Sequence, residues 1–313
     1  MNLNEIISER NLSWKNNKEI PAWVDIESVG LDQFYTYKNV AKTLFDELKT
    51  YINNDGIDIK DCVFIEPSTG EGAFYDLLPI DNRIGIDIFP MCDGVIKQDF
   101  LSWTLPEQFS NKKIVFIGNP PFGYRAWLAL VFMNHAAKYA DYIGFILPMA
   151  FQSEGKGSPK HRVKGMKLEY YRGLENNCFY LPNGKLCKIN ALWQIWKKGE
   201  NEIIKLNKCS DFIELFTVDE RKERLCGQEK MKIADYFLQR TFYSVPPKLV
   251  KNFSQVKYVC GYGLIIKKER AKVVSILQNT DWNKYSNLAA HNCRHISMYH
   301  IEKALIEGGI THA

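Results

Sequence analysis

Four stretches of the chain are apolar almost without interruption, and three of them stop at a proline. Cys62-Val-Phe-Ile-Glu66 runs into Pro67, Ile114-Val-Phe-Ile-Gly118 into Asn119-Pro120-Pro121, and Tyr142-Ile-Gly-Phe-Ile-Leu147 into Pro148, while Ile189-Asn-Ala-Leu-Trp-Gln-Ile-Trp196 ends in lysines. Short runs rich in β-branched and aromatic residues read as buried strands. Arg83-Ile-Gly-Ile-Asp-Ile88 and Val95-Ile-Lys-Gln-Asp-Phe100 read as two shorter ones, each ending near an acid. Helical spacing takes over elsewhere. Val40, Ala41, Leu44, Phe45 and Leu48 recur on one face, with Thr36 placed to cap the start. Residues 126–139 are apolar nearly all round, as in a helix buried on a sheet; His135 within them reads as a satisfied helix histidine. Ala73, Phe74, Leu77 and Leu78 suggest a helix after the Gly70-x-Gly72 turn, and Ser297–Glu307 a terminal helix closed by Gly308-Gly309. Asn176–Lys185 and Ile189–Trp196 are expected to form a hairpin across Pro182-Asn183-Gly184. Alternating strand and helix patterns predict an α/β fold.

After Lys198-Gly-Glu-Asn201 the pattern changes to short apolar segments among many lysines, so domains are predicted at 1–204 and 205–313. The polar lead of residues 1–32, with Trp14, Pro21 and Trp23, carries no readable function. A chain of 313 residues, 46% hydrophobic and 25% charged, has the composition of an ordinary globular protein rather than a disordered one. The N-terminal decapeptide has neither a basic region nor a long apolar core, and no apolar run approaches a membrane span. Eight scattered cysteines without a C-x-x-C pair read as reduced thiols. A cytosolic, bacterial or phage-encoded protein with no membrane partner is the expectation. Charge is divided unevenly: residues 1–150 carry 13 Lys and Arg against 20 Asp and Glu, residues 151–313 carry 28 against 16. A basic half beside an acidic one points to a polyanionic partner, since phosphate neutralisation drives non-specific nucleic-acid affinity.

Asn119-Pro120-Pro121-Phe122 is where the chemistry concentrates. Two prolines hold the chain in a rigid turn past the strand's carboxyl end, which is where ligands bind in open α/β sheets. The Asn119 side-chain carbonyl and the Pro120 main-chain carbonyl are two acceptors at fixed spacing, with the Phe122 ring beyond. An exocyclic amino group on a planar base matches that arrangement, and stacking adds roughly 1–3 kcal/mol. A strand-ending turn with a packed phenylalanine satisfies the tetrapeptide taken alone.

Several ordered stretches between about residues 33 and 198 resemble one family, the S-adenosylmethionine-dependent adenine-N6 DNA methyltransferases in their gamma motif order, and the resemblance implies a Rossmann-like, mostly parallel sheet with an antiparallel last strand. The resemblance makes Asn119, Pro120, Pro121 and Phe122 catalytic, Asn119 also reaching the cofactor. Glu66-Pro-Ser-Thr-Gly-Glu-Gly-Ala-Phe74 matches the family's glycine turn, implying that Glu66, Ser68, Gly70 and Gly72 embrace the cofactor. Phe34-Tyr-Thr36 resembles the opening motif, with Tyr37 where proline is usual, and implies a cofactor contact for Thr36. Asp87, with Ile88 beside it, is implied to bind the ribose hydroxyls, Asp99 the adenine amino group, and Phe100 to line its ring. Phe179, or Tyr180 in its stead, is implied to pack on the far face of the target base.

The stretch Gln152–Gly165, glycine-rich and basic, reads either as a lid touching substrate phosphates through Lys160 and Arg162 or as a solvated loop. Within 205–313, read as a small target-recognition domain, Arg294 fits base or phosphate contacts better than the His291-Asn-Cys-Arg-His295 cluster fits a metal, which lacks a second ligand pair. No metal is expected. Together these readings imply methylation of the amino nitrogen of an adenine extruded from double-stranded DNA, in an orphan enzyme or one paired with a restriction endonuclease. An RNA adenine-N6 methyltransferase, a protein-glutamine methyltransferase and an inactive nucleic-acid-binding paralogue are the alternatives.

Overall fold

The computed structural model describes residues 34–123, 126–153, 158–175, 177–201, 209–222, 225–289 and 292–310; Trp14, Pro21, Trp23 and His291 lie outside them. The chain divides into two compact units, Met1–Phe151 with Pro159–Glu202, and Gln152–Ser158 with Ile203–Ala313.

In chain order the first unit has β1 (Tyr35–Thr36), α1 (Lys38–Asn54), β2 (Cys62–Glu66), β3 (Arg83–Asp87), β4 (Ile96–Lys97) and β5 (Lys113–Gly118). It continues with α2 (Trp127–Ala136), β6 (Tyr142–Pro148), β7 (Met166–Gly173), β8 (Phe179–Tyr180), β9 (Leu186–Cys187) and β10 (Ala191–Lys198). Seven of the strands form one sheet in the order β4-β3-β2-β5-β6-β10-β7. Pairing is parallel from β4 to β6, and β10 runs antiparallel to both of its neighbours. This is the Rossmann-like sheet with an antiparallel strand near one edge.

Side chains alternate across the sheet, and each face has its own helix. Phe64, Val115, Ile117, Ile146 and Trp193 share a core with Leu44, Phe45 and Leu48 of α1. On the opposite face Phe116 meets Phe100, which packs on Phe132 of α2. All ten residues of α2 are buried. His135 within it is buried, its Nε2 2.8 Å from the Trp103 carbonyl and its ring edge-on to Phe100.

Three sequence expectations are corrected by the packing. Thr36 does not cap α1; Tyr37 is the cap residue, and the Thr36 hydroxyl is turned to Asn119. No helix follows the glycine turn, only a 3₁₀ turn at Tyr75–Leu77, because Pro79 follows Leu78 directly and stops propagation. The Pro182-Asn-Gly hairpin joins β8 to β9 rather than to Ala191–Lys198. β10 pairs instead with β6 and with β7, an edge strand that the pattern did not announce.

The second unit holds β11 (Ile213–Asp219), α3 (Gln228–Met231), β12 (Tyr236–Gln239), β13 (Thr241–Phe242), β14 (Cys260–Ile266), α4 (Arg270–Asn279), β15 (Asn287–Leu288), β16 (Arg294–His295) and α5 (Met298–Glu307). An antiparallel sheet β11-β14-β12 covers a core of Leu264, Val273, Leu277, Trp282, Ile301 and Leu305. Its other face carries Phe216, Val218, Phe237 and Phe253. A smaller sheet, β13-β16-β15, completes the unit. The helix expected over 297–307 starts at Met298, with the Ser297 hydroxyl accepting from the His300 N–H, and ends at Gly308. Among the described residues no helix is long and apolar enough to cross a membrane, and no His, Cys, Asp or Glu group is arranged for a metal.

Candidate active site

Strand order reverses at β2, which has β3 on one side and β5 on the other, and a crevice opens there beyond the carboxyl ends of parallel strands. A cavity of about 460 Å³ occupies that place. Its wall includes Glu66 and Ser68 after β2, Asp87 and Ile88 after β3, Asp99 and Phe100 after β4, and Asn119 and Pro121 after β5. Thr36, Gly70 and Tyr180 also line it. Four loops thus meet on one space, because parallel strands deliver their carboxyl ends to the same edge, and Thr36 of β1 and Tyr180 of β8 join them there.

The turn after β2 is held open by its glycines. Gly70 and Gly72 have φ of 51° and 80°, and the Gly72 N–H closes the turn on the Thr69 carbonyl at 2.9 Å. A Cβ on Gly72 would stand 2.6 Å from the Cys92 sulfur, so glycine is required there by both backbone and space. The Gly70 N–H donates to Asp87 Oδ2 at 2.8 Å and the Phe89 N–H to Asp87 Oδ1 at 2.7 Å, which ties the β2 and β3 loops together. The Ser68 hydroxyl donates to the Asn119 carbonyl at 3.2 Å, tying β2 to β5.

Three buried oxygens on the cavity wall have no hydrogen-bond partner among the described residues: Glu66 Oε2, Asp99 Oδ2 and Asn119 Oδ1. Buried acceptors left without donors are rare in folded proteins and mark places where a ligand or water supplies them. Each is oriented by its other atoms. Asp99 Oδ1 accepts from the Leu101 N–H at 2.9 Å. The Asn119 amide nitrogen donates to the Phe34 carbonyl at 3.4 Å and to the Thr36 hydroxyl at 3.3 Å, so that its oxygen is the free end. Glu66 is 2% exposed, and burial holds its carboxyl pKa well above the ordinary value; Asp87 and Asp76 add to the shift, and an N–H of Tyr75 partly offsets it.

One side of the cavity is aromatic. β1 pairs with β8, aligning Tyr35 with Tyr180 and Thr36 with Phe179. The Tyr180 hydroxyl donates to Glu71 at 2.6 Å; burial and that carboxylate push its pKa up to about 12. Phe122 and Phe179 are both buried, and Phe34 lies edge-on to each, with ring centroids 4.9 and 5.3 Å away. Phe34, Glu71 and Met91 line the cavity and were not singled out by sequence; the Phe-Tyr-Thr motif itself was the only signal for the first.

The remaining sequence-predicted residues lie off the cavity wall. Gly72 shapes the turn, Pro120 is buried, and Phe122 and Phe179 pack against Phe34, which does line the cavity. Lys160 and Arg162 sit on a 3₁₀ turn, Pro159–Arg162, whose carbonyls accept from the Asn201 and Asn134 amides. Arg294 is in the second unit, where its guanidinium donates to the Asn283 carbonyl at 2.9 Å and the Ser286 hydroxyl at 3.4 Å. In the former metal candidate, His295 Nδ1 faces the Thr241 hydroxyl at 2.9 Å and Nε2 the Cys293 sulfur at 3.5 Å.

No protein-family profile and no curated protein sequence matches the chain. Among the solved structures that match it are two that superpose on it loosely. One, from Thermoplasma acidophilum, has 16% identity and a TM-score of 0.32, covering 62% of this chain and 97% of its own. The other, a proposed RNA methyltransferase from Pyrococcus horikoshii, has 17% identity and a TM-score of 0.35, covering 62% and 98%. At that level of similarity neither bears on what this chain does.

Proposed function

We propose that the protein transfers a methyl group from S-adenosylmethionine to the N6 amino nitrogen of an adenine in double-stranded DNA. The observation that carries the reading is the set of three unpartnered acceptors on one cavity wall, Glu66 Oε2, Asp99 Oδ2 and Asn119 Oδ1. The cofactor and its acceptor bring amino groups in matching number and kind: the methionine amine, the cofactor adenine's amine and the target amine. With the resemblance of the surrounding motifs, this assigns Glu66 and Asp99 to the cofactor and Asn119 to the target. The bound cofactor would supply a methyl group already activated by its sulfonium charge.

The chain's own contribution is placement. Asn119 Oδ1 accepts one N–H of the target amine; the Pro120 carbonyl, set back from the cavity wall, accepts the other once the base has entered, and together they turn the nitrogen's lone pair toward the methyl. The fixed bonds from the Asn119 amide to Phe34 and Thr36 keep that oxygen oriented before substrate arrives, so no reorganisation is needed at reaction. The amino proton released as the nitrogen is alkylated leaves to solvent. A base stacking on Phe122 requires the Phe34 ring to turn aside, and extrusion from the duplex costs a few kcal/mol that stacking offsets.

The test is tritiated methyl transfer to unmethylated duplex DNA and, in parallel, to total RNA, followed by nucleoside analysis. N6-methyladenine in the DNA is expected. Label confined to RNA would retain the catalytic assignment and overturn the substrate, and no label in either would overturn both.

A further inference from the structure

From Tyr236 to Lys268 the chain contains no Asp or Glu, yet it carries six Lys and Arg. The fold gathers three of these, Arg240, Lys248 and Lys257, around one loop of the second unit. Val250 bridges back to Phe237, which folds residues 243–249 into a closed loop leading off β13. The Lys257 N–H bonds the Gln239 side chain at 3.3 Å, and the Ile296 N–H bonds the Arg240 carbonyl at 2.9 Å, so both residues sit at the loop's base. Arg240 lies close enough to His295 that its charge adds to burial in lowering that imidazole's pKa.

The loop presents an apolar tip. Tyr243 is 56% exposed and Val245 76%, and Pro246-Pro247 stiffens the chain behind them. Arg240, Lys248 and Lys257 are all exposed, and none is in an ion pair among the described residues. Acids do occur at this end of β14: Asp219 is paired to Arg221, and Glu220 bonds the Val259 carbonyl through its N–H. They leave a basic excess about an uncovered aromatic and an uncovered valine.

We propose that the Tyr243–Lys248 loop is a duplex DNA docking element, in which Arg240, Lys248 and Lys257 neutralise phosphates while Tyr243 and Val245 wedge against the bases. Apolar side chains on a stiff tip enter and unstack base steps, and flanking cations hold the backbone on either side. An acidic protein surface would answer the charge and leave the tip without an acceptor. The inference rests on the reading that the methyl acceptor is DNA, and names the surface that holds it.

Binding alone tests it, apart from methyl transfer. Anisotropy of a fluorescein-labelled DNA duplex is measured across salt for the wild type, for Arg240→Gln/Lys248→Gln/Lys257→Gln, and for Tyr243→Ser/Val245→Ser, with melting curves confirming that these exposed substitutions leave the fold intact. Removing three phosphate contacts is expected to flatten the slope of log affinity against log salt by about 2.7, equivalent to losing an affinity change of about 40-fold over a fourfold rise in salt. The tip variant is expected to bind about 10-fold more weakly or worse with its slope unchanged. Wild-type binding retained by both variants would overturn the loop and leave the proposed activity standing. Absence of wild-type duplex binding, or a preference for anionic phosphatidylserine vesicles over the duplex, would overturn the docking proposal, while cofactor affinity measured by calorimetry reports on the active site separately.

Discussion

At the scale of single residues, the site is governed by what burial does to three oxygens. Asn119→Ala deletes the acceptor proposed for the reacting nitrogen and leaves Glu66 and Asp99 in place. Turnover is expected to fall by about 10²–10³-fold, as for loss of one preorganised catalytic dipole, while calorimetric affinity for S-adenosylmethionine stays within a few fold. Unchanged turnover would remove Asn119 from its role. Glu66 makes a separate claim about pH. Burial raises its carboxyl pKa in the folded protein, so the folded state keeps a proton that the unfolded chain releases near the ordinary carboxylate value. Below that value both states are protonated and no penalty exists. As pH climbs toward the raised value, the unfolded state alone gains from ionising, and stability declines. Glu66→Gln is therefore expected to match the wild type in melting temperature near pH 4 and to exceed it increasingly toward neutrality. Parallel curves would show that the carboxyl is not held protonated. These three residues were legible in the sequence because each stands at a strand end within a spaced motif. Phe34 was not: its contacts with Phe122 and Phe179 span most of the first unit's length, and nothing local in a Phe-Tyr-Thr stretch announces them.

At the scale of elements, legibility followed from how completely each segment is buried. β2, β5 and β6 are sheathed on both faces, so their sequences are continuous apolar runs that admit one reading. β7 is an edge strand with alternating burial, and Met166-Lys-Leu-Glu-Tyr-Tyr-Arg-Gly173 gives no run to find. The segment after the glycine turn failed for a different reason. Ala73, Phe74, Leu77 and Leu78 have helical spacing, but Pro79 allows only one turn before β3 begins, and periodicity does not count residues to the next breaker. At Gly144 of β6 a Cβ would come 2.7 Å from the Trp193 ring and 2.9 Å from Leu48 of α1. Gly144→Ala is accordingly expected to cost about 1–3 kcal/mol, the usual penalty of overpacking. A urea titration would register this as a lower midpoint at unchanged slope. An unaltered midpoint would mean that α1 is free to ride away from the sheet, and that the apolar spacing of Ala41, Leu44 and Leu48 reflects looser contact than the core indicates.

At the scale of the whole molecule, two hydrophobic cores are built separately, one around Phe64, Val115 and Trp193 and the other around Leu264, Trp282 and Ile301. The division of charge does not follow the same line: the first unit supplies the carboxylates of the cavity, but residues 159–202, which belong to it, also hold nine of the 28 Lys and Arg of the basic half. The proposed binding of a small ligand by one unit and of a polyanion by the other has a calorimetric consequence. A ligand stabilises only what it binds, by RT ln(1 + [L]/Kd), or about 2.7 kcal/mol at a concentration 100 times Kd. Differential scanning calorimetry is expected to resolve two transitions. S-adenosylmethionine should raise the one belonging to the first unit and leave the other in place, whereas duplex DNA should raise the second, with a shift that shrinks as salt increases. Assignment of the transitions comes from Gly144→Ala, which should lower the first alone. A single transition moved equally by both ligands would show instead that the cores unfold as one cooperative body, and that cofactor and DNA stabilise it in common.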